Sequence, residues 1–136
     1  MVNNGREIKF RAWLKLAEEM IEVRELSFYD KGLMSIDYNV CIKLKDGTEH
    51  SWYEVEEADN FILMQYTGLK DTKGVEIYEG DIVKYRDELY EIKWMFSGFY
   101  LHNPKGGFIE LAECDNCCEV VGNIYENPEL LEIRYE

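Results

Sequence analysis

Hydrophobic and polar positions alternate with period two along much of this chain, and glycines mark where the runs stop. The longest run places Ile36, Tyr38, Val40, Ile42 and Leu44 on one side and Ser35, Asp37, Asn39, Cys41 and Lys43 on the other. That is a β-strand with one face toward a core. Asp46-Gly47 then predicts a hairpin. A two-residue turn would set Leu44 opposite Glu49. A three-residue loop, Lys45-Asp46-Gly47, sets Leu44 with Thr48, Ile42 with His50, Val40 with Trp52 and Lys43 with Glu49. The second register matches the faces, pairs opposite charges and gives Gly47 the left-handed position such loops favour. It is the expected one, and it turns His50 inward.

Other segments follow the same grammar. Ile8, Phe10, Ala12 and Leu14 alternate with Lys9, Arg11 and Trp13, a strand with one apolar and one basic face. Residues 12–22 are good helix formers, so local propensity alone predicts a short helix there, without a clear N-cap. Phe61 to Tyr66 reads as a mostly buried strand. Gly68, Gly74 and Gly80 punctuate the next stretch as turns, and Gly80-Asp81 launches Ile82 to Arg86 as a new strand. Leu89 to Phe96 returns around Asp87-Glu88. Its residues Tyr90, Ile92, Trp94 and Phe96 share one face, which places Trp94 in the core. Ser97-Gly98 turns to Phe99–His102, and 103–107 is a loop. Phe108–Leu111 and Glu119–Val121 complete five short strands, a spacing suited to a small barrel. Asn127-Pro128 is an N-cap candidate before a short helical turn.

Composition sharpens this picture. A length of 136 residues fits one domain or two small, intimately packed ones. Folding at this size buries roughly two thirds of the unfolded surface, enough for a core without metals or disulfides. Aromatics make up 14% of the chain, which suits sheets. The formal net charge is −13, and from Glu110 onward eight acids face one base, Arg134. This charge opposes nonspecific binding to nucleic-acid phosphates. It serves solubility, or else mimicry of a polyanion or docking onto a basic partner. The N-terminal residues lack the apolar core of a signal peptide, and Phe61–Met64 is the longest apolar run. The expected compartment is therefore the cytoplasm, with four reduced cysteines.

The segment Leu63-Met64-Gln65-Tyr66-Thr67-Gly68-Leu69-Lys70-Asp71, with Gly74 and Glu76-Ile77-Tyr78-Glu79-Gly80-Asp81-Ile82-Val83, resembles the YopX family of phage and prophage proteins. So do the closing residues Glu119-Val120-Val121-Gly122-Asn123-Ile124-Tyr125-Glu126-Asn127-Pro128-Glu129-Leu130-Leu131 and the opening Ile8-Lys9-Phe10-Arg11-Ala12-Trp13. The resemblance implies a mainly β protein with an SH3-like barrel in its C-terminal half. It also implies a strand-to-strand turn in place of a helix over residues 13–20. It carries no activity and no catalytic residues.

Candidate chemistry is sparse. Cys114-Asp115-Asn116-Cys117-Cys118 holds one Cys-x-x-Cys, and a structural zinc site needs a second matching pair or two suitably spaced histidines. The pair reads as incidental on a surface loop. His50 and His102 stand near no obvious nucleophile. Glu54, Glu56, Glu57 and Asp59 read as a solvated charge run. The glycines at 68, 74 and 80 are not a phosphate loop. Lys9, Arg11, Trp13 and Lys15 mix base and aromatic, as single-strand binders do, and form the one candidate binding face.

The expected fold is mainly β: a hairpin-rich N-terminal half, residues 1–74, packed on an SH3-like small barrel, residues 75–136, with a short C-terminal helical turn. The expected function is a non-enzymatic binding module for a host or phage protein, without catalytic, metal or cofactor site. A nucleic-acid-associated module is the alternative, and an enzyme using surface carboxylates comes third. Association of identical copies is compatible with all three.

Overall fold

Alternation of apolar and polar residues produces twelve strands among the residues described in this computed structural model, which are 7–29, 32, 34–114 and 117–132. In order they are β1 (Phe10–Leu14), β2 (Glu19–Glu22), β3 (Glu25–Phe28), β4 (Met34–Lys43), β5 (Glu49–Glu57), β6 (Phe61–Lys70), β7 (Glu76–Tyr78), β8 (Asp81–Tyr85), β9 (Glu88–Met95), β10 (Gly98–His102), β11 (Phe108–Glu110) and β12 (Glu119–Asn123). Short 3₁₀ turns follow at Ala58–Asn60, Leu111–Cys114 and Pro128–Leu131. The strands form sheets of order β2-β1-β6-β7, β3-β4-β5 and β11-β10-β9-β8-β12. The fold is mainly β, with curled sheets that make a half-barrel. The sequence reading divided the chain after residue 74. Contacts divide it inside β6, into residues 9–64 and a unit that joins the described residues before Lys9 to those from residue 65 onward.

In the first unit, β1 and β4 supply the core. Ala12, Leu14, Ile36, Tyr38 and Phe61 are buried together. The helix that propensity favours over residues 12–22 does not form. Lys15 to Glu18 instead make the turn between β1 and β2, with Ala12 opposite Ile21 and Trp13 opposite Met20. Glu18 takes a left-handed φ of 56° and donates its N–H to the Leu14 carbonyl at 2.9 Å. Sheet pairing of Ala12 and Leu14 overrides the helical preference of residues that otherwise point to water. The β4–β5 register is the expected one: Lys43 pairs Glu49, Ile42 pairs His50 and Val40 pairs Trp52. Gly47 has φ 91° and bonds the Leu44 carbonyl at 3.0 Å. His50 nevertheless stays exposed, because this hairpin runs past the core that ends near Val40.

In the second unit, Ile77, Val83, Tyr90, Ile92, Phe99, Leu101, Leu111, Cys114 and Cys118 form the core. Polar side chains fasten its irregular segments. Gly68 does not turn the chain; it sits at φ 88° in a bulge of β6, where residues 67–69 oppose Ile77. The Thr67 hydroxyl closes that bulge by donating to the Ile77 carbonyl at 2.7 Å. Asp71 is buried and accepts backbone N–H groups from Lys73, Val75 and Val120 at 2.8, 2.8 and 2.9 Å. In the closing strand, a Cβ on Gly122 would stand 2.5 Å from Asn127 Oδ1. Asn127 does not cap the 3₁₀ turn with its side chain; it accepts from the Asn123 N–H at 3.2 Å.

Two turns lie one residue earlier than the expected positions. Tyr85 pairs Glu88 and Met95 pairs Gly98, so Arg86-Asp87 and Phe96-Ser97 are the two-residue connections. All four residues have φ between 50° and 66°, the signature of type I′ turns.

Candidate functional site

The face with the most unusual chemistry is the outer side of β9, β10 and β11. Residues directly opposite in a sheet share a face, and side chains alternate along each strand. Ile92 and Leu101 pair and point inward, fully buried. Lys93, Tyr100 and Glu110 are consecutive neighbours across the three strands and point outward, as do Glu91, His102 and Phe108. This outer face should be polar on a solvated sheet. Here aromatic side chains stand among the charged Glu91, Lys93 and Glu110.

His102 and Phe108 stack with ring centroids 4.8 Å apart, planes 22° apart. Phe96 reaches over from its turn and meets Tyr100 edge-on at 5.8 Å and Phe108 edge-on at 6.2 Å. Phe96 is 76% exposed and Phe108 50% exposed. A phenylalanine with φ 51° is a backbone outlier, since a Cβ in the left-handed region costs about 1–2 kcal/mol. Asparagine or glycine would suit this turn better. The edge-on contacts with Tyr100 and Phe108 offset part of that strain.

Trp94 is a correction to the expected core. Tyr90 and Ile92 are buried as the alternation requires, but Trp94, on the same side, is 51% exposed. Trp94 lies opposite Phe99, at the edge of the core, and meets it edge-on at 4.9 Å. Beside Phe99 runs an apolar crevice of about 320 Å³ lined by Thr67, Leu69, Phe99 and Leu111. A second cleft of about 450 Å³ lies among Asp87, Leu89, Asn103, Pro104 and Leu130.

The basic stripe expected at Lys9, Arg11, Trp13 and Lys15 is differently constituted. Lys9, Arg11 and Trp13 are half-buried and engaged within the protein. Arg11 lies opposite Glu22 in the β1–β2 register. Lys15 is exposed and donates from Nζ to the Asp59 carbonyl at 3.1 Å.

The cysteines are not on a surface loop as a pair. Cys114 and Cys118 are buried in the half-barrel core, while Cys117 and Cys41 are exposed. Burial raises both buried thiols, Cys118 to about 11. Metal-binding cysteines need the thiolate, so this environment opposes ligation by either. Among the described residues no group of three or more His, Cys, Asp or Glu side chains is placed to hold a metal ion. Glu54 and Glu56 accept bonds from Trp52 Nε1 at 2.6 Å and the Tyr38 hydroxyl at 3.4 Å. Among the described residues, no helix is long and apolar enough to cross a membrane.

With this geometry in view, the profile of the YopX protein family matches residues 9–132. The chain belongs to the YopX family. Its fold is similar to that of protein EF1440 from Enterococcus faecalis, with a TM-score of 0.64 and 29% identity over 94% of this chain and 100% of that one. Protein yopX from Bacillus subtilis shares the fold at a TM-score of 0.61 and 21% identity, over 93% of this chain and 98% of the other. Among curated proteins none matches. Of the YopX-like segments, the opening one supplies β1 of the first unit, and the central and closing ones help build the second, where Asp71, Gly122 and Asn123 hold turns and the closing strand.

Proposed function

We propose that this YopX-family chain is a non-enzymatic binding module that docks a protein through the outer face of β9–β11. One observation carries the reading: exposed Phe96 and Phe108 cluster with Tyr100 and His102 where a sheet ordinarily faces water. Contiguous exposed aromatics mark interaction sites, and buried aromatic anchors dominate binding energy at protein interfaces. The net charge of −13 supports a protein partner over a nucleic acid, whose phosphates it repels. The family resemblance supports work in the cytoplasm of a bacterial host, in the life of a phage or prophage.

Comparative capture from host lysate tests this reading. The parent chain should retain a protein that the double variant Phe96→Asn/Phe108→Ser, folded by circular dichroism, retains at least tenfold less. Equal capture by both would exclude this face. Retention of nucleic acid alone, lost on nuclease treatment, would favour the nucleic-acid alternative.

A further inference from the structure

The aromatic face carries its own charge pattern, and that pattern defines what it can bind. Register places Tyr100 between Lys93 on β9 and Glu110 on β11, and places His102 between Glu91 on β9 and Phe108 on β11. Glu91 on β9 and Glu110 on β11 therefore stand on either side of β10, and with one base, Lys93, beside Tyr100 the face carries two acids against one base. Glu110 is exposed, and Glu113 follows it in the same acidic stretch.

Aromatic faces attract cations through the ring quadrupole, and arginine more often than lysine. A guanidinium is planar and weakly hydrated, so it stacks on a ring while its N–H groups bond carboxylates at the edge. A base of a nucleic acid would stack equally well, but its phosphates would meet Glu91 and Glu110. A purely apolar peptide would leave both carboxylates desolvated and unpaired, which is unfavourable. Charge complementarity thus selects one occupant.

We propose that the outer face of β9–β11 receives an arginine-bearing, basic segment of a partner protein. The guanidinium lies against Phe96 and Phe108, with Glu110 and Glu91 accepting its N–H groups. This rests on the protein-docking reading above and adds the chemistry of the partner. Phe96 then has a purpose at its strained turn: from that position its ring extends the platform beyond the ends of the strands.

The test is an amide-resolved NMR titration of the full chain with two capped peptides, Gly-Arg-Gly-Arg-Gly and Gly-Lys-Gly-Lys-Gly, and with an oligothymidylate. The arginine peptide should shift amides of Phe96, Tyr100, Phe108 and Glu110, and bind at least threefold more tightly than the lysine peptide. Glu110→Gln and Phe108→Ser should each weaken it several-fold, and the oligothymidylate should leave these amides unmoved. Equal response to both peptides, shifts confined to another acidic surface such as β5, or no shift at all would overturn the arginine assignment. If that happens while Phe96→Asn/Phe108→Ser still abolishes capture from lysate, the docking reading stands and only the partner chemistry fails.

Discussion

The Asp71 carboxylate accepts the Val120 backbone N–H at 2.9 Å across 49 positions of sequence. Its other oxygen takes the N–H groups of Lys73 and Val75, so one buried side chain shapes a turn and ties it to the closing strand. Lys73 completes the link by a 2.6 Å ion pair with Glu119.

Replacing Asp71 should therefore damage two features at once. Asp71→Ala strands three backbone donors, each worth about 1–3 kcal/mol when buried and unpaired, so a loss of about 3 kcal/mol or more is expected in denaturant titration. Asp71→Asn keeps an oxygen for Lys73 and Val75 but presents an amide to Val120, and should lose less. Burial opposes the charged form of Asp71, yet the N–H donors from Val120, Val75 and Lys73 outweigh it, and its pKa is lowered. The sign follows: its stabilisation is present above the unfolded-state carboxylate pKa, near 3.9, and is lost as pH falls through the lower folded value. Asp71→Asn should flatten that acid limb of the stability curve; an unchanged limb would contradict it.

Gly47 occupies the left-handed position of its hairpin loop with open space around it. Gly47→Ala should destabilise by about 1 kcal/mol through backbone strain alone, and Gly47→Asn by less. Thermal melting of the two variants checks the order.

Trp94 covers Phe99 but lies half in water. Trp94→Ala should lower stability by about 1 kcal/mol, the scale of one aromatic pair, rather than the roughly 3–5 kcal/mol of a buried tryptophan. A large drop in melting temperature would mean that Trp94 is a core residue after all.

The four thiols should fall into two classes. At pH 8 a disulfide reagent should modify Cys41 and Cys117 quickly, and Cys114 and Cys118 only after denaturation, because burial keeps the latter protonated and inaccessible. Four fast thiols in the native protein would contradict the packing of the half-barrel core.

Much of the fold was legible from the sequence, for reasons that individual residues show. Ile36 to Lys43 alternates without interruption, and Gly47 fixes its hairpin, so strand, loop and register follow from local rules. Lys15 to Glu18 misleads because helical propensity is weak against the sheet pairing of Ala12 and Leu14. Trp94 misleads because alternation assigns a side, and how far the core extends along that side depends on other strands. The candidate face was not legible. Phe96, Tyr100, His102 and Phe108 are scattered over two strands and a turn, and β9–β11 register assembles them. A signal was present in Phe96-Ser97-Gly98: once Met95 pairs Gly98, the two-residue loop between them favours left-handed φ, and a phenylalanine there is conspicuous.

The most direct test compares the melting temperature of Phe96→Asn with its affinity for the protein captured by the parent chain. Asparagine relieves about 1 kcal/mol of left-handed strain, which roughly offsets the lost ring contacts with Tyr100 and Phe108. The melting temperature should stay within a few degrees of the parent, while affinity falls at least tenfold. Undiminished affinity would contradict the central claim that Phe96 is held at its strained turn for binding, and a collapse in stability would show that its ring serves the fold instead.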